Sequence, residues 1–519
     1  DVLEHIENDK MFFNNLEFYL KNDGKIIINV PSLQIFYSKY DIAVGHYRRY
    51  TRSKIKKIID HKKYDTKMYY WGLLLIPLLI FRKIINLFQD NQNKIISSGM
   101  STKNILVRSI LNILRFIEVT LPSKLRFIGS SLIVISKKKM FSLKQKLNIF
   151  KNSITKKNPI YVQFYITSRC NLACEQCNII YADAKHPEMN IDQINNVAHN
   201  LKKIGVNIVL LIGGEPFVRK DIHHIVKAFT SRGIHVRLQT NGLATEEQLE
   251  NCLKAGTSDI SISLDSLNQK TQDKINGGFK NSWNKALKTI SKVSKIFPEG
   301  SSGFINSVIM PSNINDIEKV IKFSTKIGWY VSLVPIHTTT PTHPMPYRTI
   351  DYIGNMNFKQ QDEPIIENLI QNLKNLKKNY NLYDSYEYLD DVKRFILKQP
   401  IIWRRKNNNV CDSPNLYFAI APSGMLKACC DYELDKDFYV YDDNFVSNYK
   451  NGKIHEEVYK KTIPCEGCLY GSYPEVTITF RYLKHFIEKA IFFNFEKKKM
   501  FPLEYEEIIA IADDINKNE

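Results

Sequence analysis

The residues of this chain best suited to chemistry are its thiols. Cys170, Cys174 and Cys177 follow the apolar stretch Tyr161–Thr167 with the spacing C-x3-C-x2-C. Three thiolates this close can hold three corners of an iron–sulfur cube and leave the fourth iron without a protein ligand. An iron left open lets a cluster act on a bound molecule, whereas a fully ligated cluster only passes electrons. A second set comes later: Cys411, then Cys429 in the G-x4-C run that starts at Gly424, then Cys465 and Cys468 as C-x2-C. The stretch Phe418–Lys427 reads as a hairpin, which would bring Cys411 and Cys429 side by side. Cys430 competes with Cys429 for that place, and the G-x4-C spacing favours Cys429. CxxC pairs also bind zinc in four-cysteine sites, which is the alternative for this second set. Cys252 sits in a helical pattern beside Leu249 and Leu253 and reads as a buried structural thiol.

The elements around the first thiol set form a regular alternation. Strand patterns fall at Tyr161–Thr167, Asn207–Ile212, His235–Gln239, Asp259–Leu264, Phe304–Ile309 and Tyr330–Val334. Helical periodicity fills the gaps, as over Ile191–Ile204 and Ile222–Arg232. Such alternation implies an α/β fold with a parallel sheet and right-handed crossovers. Six units do not complete an eight-fold barrel, so a partial (β/α)6 barrel is expected, with its chemistry at the C-terminal strand ends. The signature residues fall at those ends. The thiols follow the first strand, and Gly213-Gly214-Glu215-Pro216 follows the second. Asn241 follows the third, and Ser263 and Asp265 close the fourth. Adjacent glycines let a backbone approach a zwitterionic ligand closely. Glu215 could add charge-assisted recognition of its ammonium. Ser263 and Asp265 could hydrogen-bond a ribose diol, and Asn241 could do the same or hold its loop.

With these motifs in place, the central third of the chain resembles the radical S-adenosylmethionine core, which carries C-x3-C-x2-C, Gly-Gly-Glu-Pro and Ser-x-Asp at the fourth strand. The resemblance implies that Cys170, Cys174 and Cys177 bind a 4Fe–4S cluster and that S-adenosylmethionine chelates its open iron. Reductive cleavage would then give a 5′-deoxyadenosyl radical that abstracts hydrogen from a substrate. A reductant such as flavodoxin or ferredoxin is implied as a partner. One departure is Gln176, where the family usually has an aromatic residue near the adenine. The later cysteines resemble the SPASM extension or its short twitch form. That implies one auxiliary 4Fe–4S cluster held by Cys411, Cys429, Cys465 and Cys468.

The 519 residues suffice for two or three domains. A formal net charge of +20 favours anionic partners such as nucleotide-like cofactors and acidic lipid surfaces. The Lys are spread along the chain without an arginine-rich or aromatic-interleaved patch, so nucleic acid is not an expected partner. Eight of the nine cysteines fall in the two thiol sets, which fits metal-bound thiolates in a reducing cytoplasm better than a secreted disulfide framework.

Residues 1–139 carry the box Asp1-Val-Leu-Glu-His-Ile6, a turn at Asn22–Gly24, a strand at Ile26–Val30 stopped by Pro31, and the loop Gly45-His-Tyr-Arg-Arg-Tyr-Thr51. Two more strands are expected at Asp65–Trp71 and Ser131–Ser136. This order resembles the C-terminal half of a class I S-adenosylmethionine-dependent methyltransferase. The glycine-rich turn and acidic residue of that family would precede Asp1, so this half Rossmann-like sheet is expected to be truncated. Glu4, His5 and His46 would flank the methionine end of the cofactor only in an intact domain. His61 reads as a solvated surface residue.

Residues 71–85 are uncharged up to Phe81, too short to span a bilayer, and interrupted by Pro77. They read as a buried or interfacial helix with Arg82 and Lys83 at the water boundary, giving a peripheral membrane contact. The remaining expectations are a basic linker over 140–157 and the core over 158–345. The Pro- and Thr-rich run 341–348 leads from the core into a helical connector over 346–400, which contains the helix Ile365–Tyr380. The auxiliary domain covers 401–475. A helical tail over 476–519 has a solvated end and the Lys run 497–499.

The leading function is hydrogen abstraction by a radical enzyme from a small molecule, a glycan or lipid precursor, or a peptide. The alternatives are a non-catalytic iron–sulfur electron-transfer or scaffold protein, and a methyltransferase whose first half is missing.

Overall fold

A computed structural model of the chain describes residues 2–20, 25–59, 64–97, 109, 112–114, 116–118, 127–138, 143–177, 187–297, 301–337, 357–403, 411–430, 432–465, 467–470, 472–491 and 500–518. The expected turn at Asn22–Gly24, His61, the run 341–348 and the lysines 497–499 lie outside these residues. The chain divides into two compact units, Asp1–Lys146 and Leu147–Glu519.

The first unit is built on three strands: β1 (Lys25–Pro31), β2 (Tyr64–Trp71) and β3 (Ser131–Lys138). Their order is β1-β3-β2, with β3 antiparallel to both neighbours. The alternation of β1 sends Ile26, Ile28 and Val30 to one face and leaves Ile27 exposed, as a pleated strand with one wet face requires. Those residues meet Leu132, Val134, Ile55 and Tyr50 in the unit's core.

The helix Ile76–Leu87 starts with Pro77 in its first turn, where the missing N–H costs nothing. Leu79 is buried, while Ile80, Phe81, Ile84, Ile85, Leu87 and Phe88 are exposed. Its two cations, Arg82 and Lys83, are half-buried. The Arg82 guanidinium lies 3.9 Å over the Tyr40 ring, and Lys83 Nζ donates to Ile35 O at 2.6 Å. Among the described residues no helix is long and apolar enough to cross a membrane.

The second unit carries one eight-stranded sheet. Its strands are β4 (Tyr161–Thr167), β5 (Ile208–Gly213), β6 (His235–Thr240), β7 (Asp259–Ser263), β8 (Ser302–Ile309), β9 (Tyr330–Pro335), β10 (Tyr417–Ile420) and β11 (Leu426–Lys427). The spatial order is β11-β10-β4-β5-β6-β7-β8-β9. Strands β4 to β9 are successive parallel neighbours, the order that repeated right-handed βαβ units produce. Near-continuous apolar strands and amphipathic helices fill one core. Val209, Leu211, Ile260, Ile262, Val197, Leu201 and Ile225 are all fully buried in it. The helix Ile191–Ile204 spans the residues its periodicity indicated. It opens with a capping box between Asn190 and Gln193 and stops at left-handed Gly205.

Three features differ from the sequence reading. The basic stretch 140–157 contains the helix Leu143–Thr155. The hairpin of β10 and β11 does form, with Ala419 opposite Lys427, but β10 also pairs in parallel with β4, Tyr417 opposite Tyr161. The second cysteine region therefore continues the core sheet. The end of the chain is packed: the helix Tyr505–Asn518 buries Ile508, Ala512 and Ile515 in the main core. Its i, i+4, i+7 apolar spacing offers such a stripe, and the exposed charges on its other face suggested solvent. Ile508→Ala should lower the urea midpoint of the second unit by the equivalent of about 2–5 kcal/mol. An unchanged midpoint would show that this helix adds nothing to the core.

Candidate functional site

The loop after β4 carries Cys170, Cys174 and Cys177, and it has no strand of its own to pair with. Neighbouring strand ends shape it. Gly213 ends β5 opposite Thr167. The N–H of Gly214 donates to Thr167 O at 2.9 Å, and that of Glu215 donates to Arg169 O at 2.8 Å. A Cβ on Gly214 would lie 2.2 Å from Arg169 O, so only glycine allows this approach. The paired glycines thus seat the cysteine loop on β5.

Glu215 is buried and faces inward, with both oxygens engaged. Phe217 N and Thr240 Oγ1 donate to Oε1 at 3.0 and 2.9 Å, and Asn241 N donates to Oε2 at 2.7 Å. Burial pushes its carboxyl up to about 7, against the pull of those three donors. These contacts tie Glu215 to the end of β6. Pro216 opens the buried turn Pro216–Val218 that follows.

Asn241 reaches from β6 to the cysteine loop. Its Nδ2 donates to Asn171 Oδ1 at 2.7 Å and lies 4.0 Å from Cys170 Sγ. At the end of β7, Ser263 is half-buried and pairs with Asn306 of β8. Asp265 is buried. Val308 N donates to its Oδ1 at 2.7 Å, and Gln176 Nε2 donates to its Oδ2 at 3.1 Å. Burial pushes the Asp265 carboxyl up to about 6. Gln176, the departure noted in the sequence, therefore ties the third cysteine's neighbourhood to β7.

The structure adds residues that sequence reasoning passed over. Cys174 Sγ lies 3.6 Å from the buried Asn276 Oδ1, and Glu175 N donates to Ile275 O at 2.9 Å. A Cβ on Gly277 would meet Ala173 O at 2.2 Å. The Asn276-Gly277-Gly278 run was legible as a turn, and its contact with the cysteines was not. Arg169 pairs with Glu188 at 2.8 Å across the mouth of β4.

The three thiols are near enough to feel one another. Burial pushes the Cys174 thiol well up, and the charges of Cys177, Asp265 and Cys170 push it further. Burial also raises Cys170, with Glu215 and Cys177 adding to the rise. Three adjacent thiols, half screened from water beside a polar rim, fit a 4Fe–4S cluster, whose irons carry the positive charge that deprotonates them.

The second set gathers beside β10. Burial pushes the Cys411 thiol up to about 12, with Cys429 and Cys465 among the charges that bear on it. Cys411, Cys429 and Cys430 pack against a cluster containing Tyr417 and Tyr473. Cys468 bears instead on the buried Tyr388, whose hydroxyl donates to Leu469 O at 3.1 Å. Cys252 is fully buried among apolar residues and remote from both sets in its role, its thiol pushed up to about 12 by burial alone.

Part of the second unit matches a known family. Residues 164–324 match the family model of the Radical SAM superfamily, so the chain carries a radical SAM domain, and it is an enzyme. The non-catalytic alternative is thereby set aside. Among curated relatives, a probable GTP 3',8-cyclase of Methanococcus vannielii is 28% identical over 211 residues, 40% of this chain and 69% of that protein. An AdoMet-dependent heme synthase of Methanosarcina barkeri is 30% identical over 173 residues, 33% of this chain and 48% of that protein. Among solved structures, Streptococcus suis SuiB bound to S-adenosylmethionine aligns with TM-score 0.45 and 17% identity, over 63% of this chain and 75% of that one.

The raised carboxyl of Glu215 gives a pH test. An acid whose pKa is higher folded than unfolded binds its proton more tightly in the fold, so its stabilisation is present at low pH. It is lost as pH rises toward 7. Glu215→Gln lacks that titration, so its stability deficit against wild type should narrow between pH 5 and pH 8, by anaerobic thermal melts. A deficit that is constant or widens would contradict the buried environment described for Glu215.

Proposed function

We propose that this enzyme cleaves S-adenosylmethionine reductively and uses the resulting 5′-deoxyadenosyl radical to take a hydrogen atom from an unactivated C–H position of its substrate. The observation that carries this reading is the cysteine loop, held at the rim of a parallel sheet by motifs from three successive strand ends. When bound, a 4Fe–4S cluster on Cys170, Cys174 and Cys177 supplies the electron and one open iron. The chain's own part is to bind and orient. Gly213 and Gly214 allow a backbone to stand close to the cofactor's amino-acid end, while Glu215 and Pro216 fix the turn that follows. Asn241, Ser263 and Asp265 line the rim where a ribose would lie, and Gln176 offers an amide where an adenine would approach.

We assign one auxiliary 4Fe–4S cluster to Cys411, Cys429, Cys465 and Cys468, in a SPASM or twitch-like extension. The nearness of Cys429 and Cys465 to Cys411 supports it, and the G-x4-C spacing favours Cys429 over Cys430. Residues 1–139 are carried in this reading as the methyltransferase-like half, which the three expected strands support. The substrate class stays as wide as the sequence left it: small molecule, glycan or lipid precursor, or peptide. The electron donor is of the flavodoxin or ferredoxin type.

Anaerobic reconstitution should load about eight irons per chain, and reduction with S-adenosylmethionine should yield 5′-deoxyadenosine. Cys174→Ala should abolish that product and retain about half the iron. Intact S-adenosylmethionine after dithionite treatment of the fully loaded protein would sink the proposal.

We further propose that the helix Ile76–Leu87 rests on a lipid surface. Its exposed row of Ile80, Phe81, Ile84 and Phe88 supports this. Wild-type protein should co-sediment with anionic vesicles and the Phe81→Glu/Phe88→Glu variant should stay in the supernatant. Equal sedimentation of both would refute the contact.

A further inference from the structure

In the first unit, well away in sequence from every cysteine, Glu4, His5 and His46 each turn one ligand atom toward a common point. The three atoms all lie within 4.8 Å of one another. Glu4 is buried, His46 half-buried and His5 exposed. The two imidazole rings meet edge to face at 4.7 Å between centroids. The residues come from chain segments some forty positions apart, brought together by a backbone clamp. Tyr47 N donates to Glu4 O at 2.8 Å, and Tyr50 Oη donates to Leu3 O at 3.0 Å.

The tautomer of each neutral ring follows from what faces its Nδ1 atom. His5 Nδ1 lies 3.2 Å from Gly45 O, and a carbonyl can only accept, so the hydrogen of a neutral ring sits on that nitrogen. His46 Nδ1 lies 2.9 Å from Asp41 Oδ1, with the same consequence. In each ring the lone pair is then left on Nε2. Metal-binding histidines are characteristically fixed in this way, by a carboxylate or backbone carbonyl on the opposite nitrogen.

Asp41 is itself held rigidly. It is fully buried, Arg49 Nε donates to its Oδ1 at 2.9 Å, and Ser38 N donates to its Oδ2 at 3.0 Å. Arg49 balances the Asp41 charge, and Glu4 brings a carboxylate oxygen to the same place as the two imidazoles. Solvated surface histidines do not need such an arrangement.

We propose that Glu4, His5 and His46 form a binding site for one divalent transition-metal ion of the zinc class, separate from the iron–sulfur chemistry. Two imidazoles and one carboxylate are the donor set of zinc sites that keep a position open, and the exposure of His5 puts that position toward solvent. An ion there would pin the loop 44–50 to the segment 3–9 and offer an oxygen ligand a place to bind. This assignment does not rest on a methyltransferase reading of the unit, because it uses only side chains described here.

The test uses the full chain, reconstituted anaerobically, equilibrated with micromolar Zn2+ and freed of loose metal by gel filtration. Zinc is then measured by mass spectrometry. Wild type should retain about one zinc more than His5→Ala, His46→Ala or Glu4→Gln. His199→Ala, an exposed histidine of the second unit, should match wild type. Because His5 is exposed, its variant tests the site without disturbing the core. Asp41→Asn should weaken retention roughly 10–100-fold in a zinc titration. Equal zinc in wild type and the His5 and His46 variants, or none retained by wild type, would overturn the assignment.

Discussion

A single close approach governs the second unit: the backbone of Gly214 lies against the carbonyl of Arg169, at a distance no side chain would permit. Through it the loop of three thiols, which has no hydrogen-bond ladder of its own, borrows the rigidity of β5. The other braces work in the same manner. Asn241 brings in β6, Gln176 brings in β7 through Asp265, and Asn276 with Gly277 supports the loop from the turn after the following helix. A site that must hold an oxidisable cofactor away from water needs its ligands fixed before the cofactor arrives, because a floppy thiol set would be open to solvent and to other metals.

The buried carboxyls belong to the same design. Glu215 and Asp265 are enclosed, each accepts hydrogen bonds from backbone N–H groups, and each is raised toward neutrality by its surroundings. Both join strand ends to loops. Buried acids of this kind are tolerated where donors converge on them, since an unsatisfied carboxylate in such a place would be far more costly.

The sequence made some of this legible and hid the rest for physical reasons. The βα alternation was readable because buried parallel strands are apolar throughout and the covering helices have one apolar face. Residues 191–204 show the clearest case, with cap, stripe and stop all local. The thiol spacing was readable because ligands of one cluster must lie close in sequence when they share a loop. The structural contacts of Glu215 were not readable. A carboxylate beside two glycines suggests a ligand, and only the fold reveals that Thr240 and Asn241 also donate to it. Pairing of β10 with β4 could not be read at all, since no local pattern encodes a partner so distant. The resemblance grouped Glu4, His5 and His46, but their close convergence was not readable, because it depends on the clamp between two segments and on the second layer at Asp41.

The parallel seam between Tyr161 and Tyr417 joins segments about 250 residues apart. During synthesis the first core strand therefore waits, with one flank unpaired, until most of the second unit has left the ribosome. Closing so long a loop is slow, and an open apolar flank invites pairing with another chain. The cysteine-rich extension consequently acts as the cover that ends this vulnerable period. Chains cut short before residue 417 would expose a sticky β-edge however well their barrel helices had formed.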